Sequence, residues 1–113
     1  MLSNLALSAY RIMWIIVSFD IPTCDRVCRK KAAQFRKDLI GDGFNMFQYS
    51  VYLRHCFSRE NADAHIARVR GFFPGIGSVS IMRVTDKQFG DIITLIGKHK
   101  APPPSPDRLF DDF

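Results

Sequence analysis

The chain is poor in cysteine and has no CxxC pair. It holds 3 cysteines among 113 residues, and no CxxC motif joins any two of them. An odd number without such pairs argues against a disulfide-stapled secreted domain and favours a reducing compartment. Cys24 with Cys28, and His55 with Cys56, could be imagined as zinc ligands, but buried thiols are the favoured interpretation because no tight ligand pair is present. We expect a cytoplasmic protein.

Long hydrophobic runs are also missing. A membrane-spanning helix needs about 20 apolar residues, and polar or charged residues interrupt the only candidate region: Ser3, Asn4, Ser8, Arg11 and Asp20. No basic residue precedes Arg11, and no small-residue cleavage pattern follows a long apolar core, so a secretion signal is not expected. A soluble protein without a membrane partner is predicted.

The composition that is present favours one compact domain. Of the residues, 47% are hydrophobic, 10 of them phenylalanine, which is enough for a single core at this chain length. The net charge of +5 is compatible with phosphate-bearing partners, but it is also common on soluble surfaces. Charge alone therefore points only weakly to nucleic acid.

The first half of the chain predicts a strand followed by a helix. Residues 12–19 are rich in β-branched and aromatic side chains without clean alternation, which is typical of a central strand. Pro22 favours an extended Ile21, Thr23 can cap the helix, and Asp25 would lie in its first turn. The helix has an apolar face and ends at two glycines; these positions are Cys28, Ala32, Phe35, Leu39, Gly41 and Gly43.

The second half predicts a strand or bent hairpin, a second helix and a further strand. Residues 44–56 alternate in polarity, and Ser58 can cap a helix that ends at the Pro74–Gly77 turn. The segments that follow are a strand over residues 78–85, a turn over residues 86–90 and a short strand over residues 92–96.

This order predicts an α+β protein with a ferredoxin-like βαββαβ sandwich and a short C-terminal edge strand. Two helices would cover one face of an antiparallel sheet, and the other face would be buried by a second copy in a homodimer. The predicted organisation is an N-terminal extension (1–12), the ferredoxin-like domain (13–97) and a proline-rich tail (98–113).

Asp20 is the most unusual residue of the first strand, because an acid ends a strongly apolar run and is followed at once by Ile21-Pro22. Aspartate commonly accepts backbone hydrogen bonds at such junctions. A catalytic or metal-binding carboxylate is the other interpretation, and the local sequence does not decide between the two.

Three segments resemble the CRISPR-associated protein two family, the small CRISPR adaptation protein. They are V-S-F-D-I-P at the end of the first strand, G-F-N-M-F-Q-Y-S-V-Y after the first helix, and V-S-I-M-R-V-T-D-K-Q-F in the last strand. They occur in the family's order and spacing, and the resemblance covers about Met13 to Phe89. Met13 falls where family members commonly begin.

The resemblance implies a ferredoxin-like homodimer that joins the CRISPR-associated integrase to hold duplex DNA during spacer acquisition. It also implies a metal-dependent nuclease acting on single-stranded RNA or duplex DNA. The nuclease role carries over onto Asp20, which would bind Mg²⁺ together with its copy in the other subunit, because one carboxylate alone is a poor magnesium site. The alternative is an autonomous or toxin-like ribonuclease of the same fold.

A basic cluster at the start of the first helix is the candidate DNA-binding surface. Arg26, Arg29 and Lys30 lie where, by resemblance, basic residues of the family approach the phosphate backbone, and a dimer would carry twice +5, or +10. An ordinary solvated helix face is the alternative. Arg54 and Arg83 are weaker candidates, because their strand faces cannot be assigned from the sequence.

The tail A-P-P-P-S-P-D-R-L-F-D-D-F is a candidate docking segment. Leu109, Phe110 and Phe113 alternate with acidic residues after a proline spacer, a pattern that can add a strand to a partner's sheet. A frayed terminus explains it equally well. Under the family resemblance, the partner would be the integrase.

Overall fold

The computed structural model describes residues 11–98. It consists of four strands and three helices in the order β1 (Met13–Asp20), α1 (Arg26–Gly41), β2 (Asn45–Gln48), β3 (Val51–Cys56), α2 (Arg59–Phe72), β4 (Ser78–Thr85) and α3 (Asp86–Gly90). The expected ferredoxin-like βαββαβ order is confirmed, with α3 as an addition after the last strand.

The four strands form one antiparallel sheet in the order β2-β3-β1-β4. β1 is central, as predicted, because it pairs with β3 on one edge and with β4 on the other. The pairing with β4 runs the full length of β1, from Met13 opposite Thr85 to Asp20 opposite Ser78. Both edges of the strand that carries Asp20 are therefore held by backbone hydrogen bonds.

The core lies between the helices and one face of the sheet. Along β1 the odd-numbered side chains are buried, and Ile15 and Val17 are fully inaccessible. They form one hydrophobic cluster with the buried residues of α1 and α2, which are Ala32, Phe35, Leu39, Ala62 and Val69. The even-numbered residues of β1 from Trp14 to Ser18 are only partly buried, because α1 and α2 pack on the opposite face. The short α3 reaches this face at Trp14, where the Phe89 ring stacks on the indole with ring centroids 4.0 Å apart.

Helix α1 begins two residues later than the sequence suggests. The prediction that Thr23 caps it is wrong: Asp25 is the N-cap, with extended backbone, and its carboxylate accepts the Cys28 backbone N–H at 2.8 Å. A carboxylate is a strong cap and also interacts favourably with the helix dipole. The prediction for α2 is confirmed, since Ser58 accepts the Asn61 backbone N–H at 3.0 Å.

Residues 44–56 contain the bent hairpin rather than one strand. β2 and β3 are joined at Tyr49 and Ser50, and Ser50 adopts a left-handed backbone with φ 65°. The pairing register shifts between Met46 and Gln48. Tyr52 consequently points into the core and is completely buried.

The C-terminal part of the described chain differs from the prediction. Residues 86–90 form the short helix α3 instead of an open turn, because Thr85 and Gln88 make a reciprocal capping box. The expected edge strand over residues 92–96 is wrong for the single chain: the segment has no regular secondary structure. A strand requires a hydrogen-bonded neighbour, and the described chain pairs β4 with β1 only.

The remaining predictions fall partly outside the described residues. The tail side chains Leu109, Phe110 and Phe113 lie there, as does nearly all of the predicted extension over residues 1–12, so the three-part division of the chain stays a prediction. Among residues 11–98, no helix is both long and apolar enough to cross a membrane.

Candidate nucleic-acid and metal site

Asp20 is presented to solvent by the most tightly held strand of the sheet. It is the last residue of β1 and is exposed, whereas the preceding Phe19 is 5% exposed and belongs to the core. The Phe19 backbone N–H donates to the Ser50 carbonyl at 3.0 Å, and Asp20 itself lies opposite Ser78. The sheet thus holds the backbone of Asp20 directly on the β4 side and through the neighbouring Phe19 on the β3 side.

The donor set around Asp20 fits a magnesium ion only in part. A carboxylate oxygen is the ligand type that Mg²⁺ prefers, and the ion usually keeps several waters. Within the described residues, however, three or more His, Cys, Asp or Glu ligand atoms come together only at Cys24, Asp25 and Cys28. The described part of one chain therefore brings no group of three such ligands to Asp20, and a second copy would add another carboxylate.

The predicted basic cluster lies at the beginning of α1, directly after the loop that follows Asp20. Arg26 is the first helical residue and is exposed, as is Lys30, while Arg29 is half-buried. The Arg29 Nη1 donates to the Thr23 carbonyl at 3.4 Å. This weak contact leaves the guanidinium at the surface, so the three residues form one basic turn of helix within a few residues of Asp20.

Arg54 and Arg83 lie elsewhere and have protein partners. The Arg54 Nε donates to the Asp42 carbonyl and its Nη1 to the His55 carbonyl, each at 2.7 Å. Arg83 forms an ion pair with Asp63 on α2. Their role in nucleic-acid binding stays a prediction, and a bound phosphate would have to compete with these contacts.

The two cysteines at the start of α1, Cys24 before its cap and Cys28 in its first turn, are not the buried thiols that the sequence suggested. Cys24 is exposed and Cys28 is half-buried, and only Cys56 lies in the core. The hydrogen bond that Cys28 makes with the Asp25 side chain raises the pKa of its thiol. The same contact acts in the opposite direction on Asp25, whose pKa is lowered by hydrogen bonds from Cys28. The largest contribution comes from the Cys28 backbone N–H.

Two contacts were not found by sequence reasoning, one beside Asp20 and one at the opposite end of α1. Gly77, in the turn before β4, lies against the backbone of Asp20 and Ile21; the P-G-I-G sequence signalled the turn but not this contact. Asp42, 6% exposed, binds His65 and Arg68 of α2 through its two carboxylate oxygens, each at 2.7 Å. The Asp-Gly pair at residues 42 and 43 indicates the end of α1, but the sequence does not show that Asp42 pairs with two residues of α2.

The family model described as CRISPR associated protein Cas2 matches residues 13–92, most of the chain and all four strands. The chain belongs to the Cas2 family. A relative from Flavobacterium psychrophilum is 46% identical over 107 residues, covering 95% of this chain and 93% of its own length. A second, from Parvibaculum lavamentivorans, is 49% identical over 101 residues, covering 87% of this chain and all of its own length.

The names of these Cas2 relatives describe an activity. Both proteins are called CRISPR-associated endoribonuclease Cas2, as is a Streptococcus mutans relative that is 38% identical over 86 residues, 76% of this chain and 79% of its own. The Cas2 match begins at Met13, the first residue of β1, and includes Asp20 and the basic turn of α1. The family resemblance expected from the sequence is therefore confirmed.

Proposed function

We propose that this Cas2-family chain works as a homodimer that holds duplex DNA beside the CRISPR-associated integrase during spacer acquisition. The observation that carries the proposal is the basic turn of α1, where exposed Arg26 and Lys30 flank half-buried Arg29. Cations on a rigid helix can contact phosphates without reading sequence, as a subunit that accepts unrelated DNA segments requires.

The homodimer is supported by apolar surface at the C-terminal end of the described chain. Ile93 is 84% exposed, Leu95 91% and Ile96 67%, all in the irregular segment that follows α3. Such a run of large apolar side chains is unfavourable in water and marks an interaction surface. A second copy of the chain would cover this apolar surface, and the resulting dimer would contain two Asp20 carboxylates and two basic turns.

The DNA-holding role is tested by charge reversal. Arg26→Glu with Arg29→Glu should weaken binding to a short duplex and flatten its salt dependence, by about 0.9 in the log–log slope for each phosphate that the variant no longer neutralises. Fluorescence anisotropy across a salt series measures both quantities. Arg59→Glu, at the exposed first residue of α2, is the matched control. Unchanged duplex affinity in the double variant would remove this surface from the proposal.

A second candidate function is metal-dependent endoribonuclease activity, favoured by the names of the relatives and by the position of Asp20. Asp20 and its copy would hold one Mg²⁺ across the dimer axis. When bound, the ion would lower the pKa of a coordinated water and polarise a scissile phosphate. Asp20 would serve as ligand only, the basic turn would hold the phosphate backbone, and the dimer would determine whether the two carboxylates meet.

Asp20→Asn separates the two functions. Under the nuclease proposal, the variant should lose Mg²⁺-dependent cleavage of single-stranded RNA or duplex DNA and keep nucleic-acid binding, whereas Asp91→Asn, an exposed carboxylate at the end of α3, should cleave normally. Under the DNA-holding proposal, Asp20→Asn should still support integration with the integrase. Undiminished cleavage by Asp20→Asn would exclude a catalytic role for this carboxylate.

Mixed dimers test whether two carboxylates share one ion. When wild-type and Asp20→Asn chains are mixed and allowed to exchange, cleavage should fall as the square of the wild-type fraction, because only a dimer with two carboxylates would hold the ion. A linear fall would show that one carboxylate is sufficient and would contradict the shared site.

The tail is proposed to contribute to the integrase complex through Leu109, Phe110 and Phe113. Removing residues 102–113 should weaken assembly with the integrase and leave the dimer folded. A truncated chain that assembles at full strength would remove the tail from the proposal.

A further inference from the structure

A second group of metal-ligating side chains lies at the junction between β1 and α1, apart from Asp20. The ligand atoms of Cys24, Asp25 and Cys28 all lie within 4.8 Å of one another. Among residues 11–98, this is where three such ligand atoms come together. Cys24 is exposed and Cys28 half-buried, so the group is reachable from solvent.

The helix start itself assembles this group. Asp25 is the N-cap, and its Oδ1 accepts the Cys28 backbone N–H at 2.8 Å, which aims the carboxylate along the first turn towards Cys28. Cys24 immediately precedes the cap. The carboxylate keeps a second oxygen, Oδ2, so binding an ion does not require the cap to break.

We propose that Cys24, Asp25 and Cys28 form a zinc-binding site. Two thiolates and one carboxylate are common protein ligands of Zn²⁺, which takes four ligands in tetrahedral geometry, with water completing a three-residue set. With Zn–S bonds of about 2.3 Å, the two sulfurs of such a site lie about 3.8 Å apart. The two sulfurs now lie within 4.8 Å of each other, so binding would require the exposed Cys24 side chain to approach Cys28 by no more than about 1 Å.

The ligand chemistry separates this site from the one proposed at Asp20. Soft thiolates select zinc and disfavour magnesium, which requires oxygen ligands in octahedral geometry. Binding is also balanced in charge. Two thiols release two protons to solvent as one Zn²⁺ enters, so the net charge beside Arg26, Arg29 and Lys30 is the same before and after. Zinc would therefore stiffen the junction without weakening the positive field of the basic turn.

Cobalt is the probe that tests the site, because Co²⁺ enters zinc sites and reports its ligands in its spectrum. Titration of the reduced, full-length protein with Co²⁺ should produce a thiolate charge-transfer band and the visible bands of tetrahedral coordination at one ion per chain, and added Zn²⁺ should abolish them. The Cys24→Ser/Cys28→Ser variant should show neither band while keeping its fold by circular dichroism.

Two matched variants complete the test. Asp25→Asn keeps a good helix cap but removes the anion, so it should bind Co²⁺ with a higher Kd and an unchanged helix content. Cys56→Ala removes the core thiol and should titrate like the wild type. The proposal is overturned if the wild type gives no thiolate band, or if the band survives in the Cys24→Ser/Cys28→Ser variant.

Discussion

Gly77 lies against the backbone of Asp20 with no room for a side chain. A Cβ at residue 77 would overlap the Asp20 carbonyl oxygen and would lie 2.9 Å from Ile21 Cα and 3.0 Å from Pro22 Cδ. Gly77 also has φ +68°, in the left-handed region that favours glycine. The turn before β4 thus fixes the exit of β1, where the carboxylate of Asp20 begins.

Gly77→Ala should lower the free energy of unfolding by about 2–3 kcal/mol. A left-handed alanine costs about 1 kcal/mol, and the clash of its Cβ with the backbone of Asp20 and Ile21 adds about 1–2 kcal/mol. Urea denaturation measures the loss. Gly75 has φ +80°, but no described residue comes within 4 Å of an added Cβ, so Gly75→Ala should show the conformational cost alone. Gly71 lies within α2, and in the described part of the chain its added Cβ would likewise meet nothing within 4 Å, so Gly71→Ala should stabilise the fold by about 0.5–1 kcal/mol. Equal losses at residues 75 and 77 would contradict the close contact.

Tyr52→Phe should raise the free energy of unfolding by about 1 kcal/mol, because the buried Tyr52 hydroxyl has no hydrogen-bond partner among residues 11–98 and an unsatisfied buried polar group is costly. Chemical denaturation at neutral pH measures the change. A destabilised variant would mean that the hydroxyl is satisfied in solution.

The same tyrosine should make stability depend on alkaline pH. Burial raises the pKa of Tyr52 above its ordinary value of 10.0, so the folded protein keeps the phenol neutral after the unfolded chain begins to ionise. The contribution of the neutral phenol to the free energy of unfolding is therefore complete below pH 10.0. It is lost as the pH rises from 10.0 towards the higher pKa of Tyr52 in the folded protein. The advantage of Tyr52→Phe over wild type should therefore grow above pH 10.0; a constant difference would contradict the shift.

Asp42→Ala should cost about 2 kcal/mol, because it removes one buried carboxylate that holds both His65 and Arg68 of α2. Asp42→Asn keeps the size and one acceptor oxygen and should cost less. Asp63→Ala breaks the exposed pair with Arg83 and should change stability by no more than about 1 kcal/mol. Thermal unfolding of the three variants ranks them, and a loss at residue 63 equal to that at residue 42 would refute the ranking.

Leu95→Asp should weaken dimer formation and leave the folded monomer intact, because Leu95 is 91% exposed in the single chain. Sedimentation across a concentration series separates the two effects. Ala64→Glu introduces a charge on the exposed face of α2 and should leave the dimer unchanged. A Leu95→Asp chain that dimerises normally would place the interface elsewhere.

Much of the fold is predictable from local chemistry. The apolar run of β1 ends at Ile21-Pro22, Ser58 caps α2, and glycines end α1, and each feature has its cause within a few residues. The turn predicted over residues 86–90 is the helix α3 instead, although its signal is local too, because Thr85 and Gln88 stand at capping-box spacing.

The errors come from properties that depend on distant residues or on another chain. The exposure of Cys24 depends on where α1 begins. Thr23 and Asp25 are both residue types that cap helices, so the local sequence allows two starting points for α1. Residues 92–96 have strand-like composition but pair with no strand among the described residues, although β4 keeps a free outer edge. The contact of Gly77 with Asp20 joins segments far apart in sequence, and only the register of β1 with β4 brings them together.

The central position of β1 has a consequence for how Asp20 meets its ligands. A residue at the end of a strand that is hydrogen-bonded along both edges cannot move far without opening the sheet, so backbone amides leading to Asp20 should be among the slowest to exchange with deuterated solvent. Any metal ion, nucleic acid or second subunit that meets this carboxylate must therefore accommodate a fixed group, and the adaptation falls to the incoming partner.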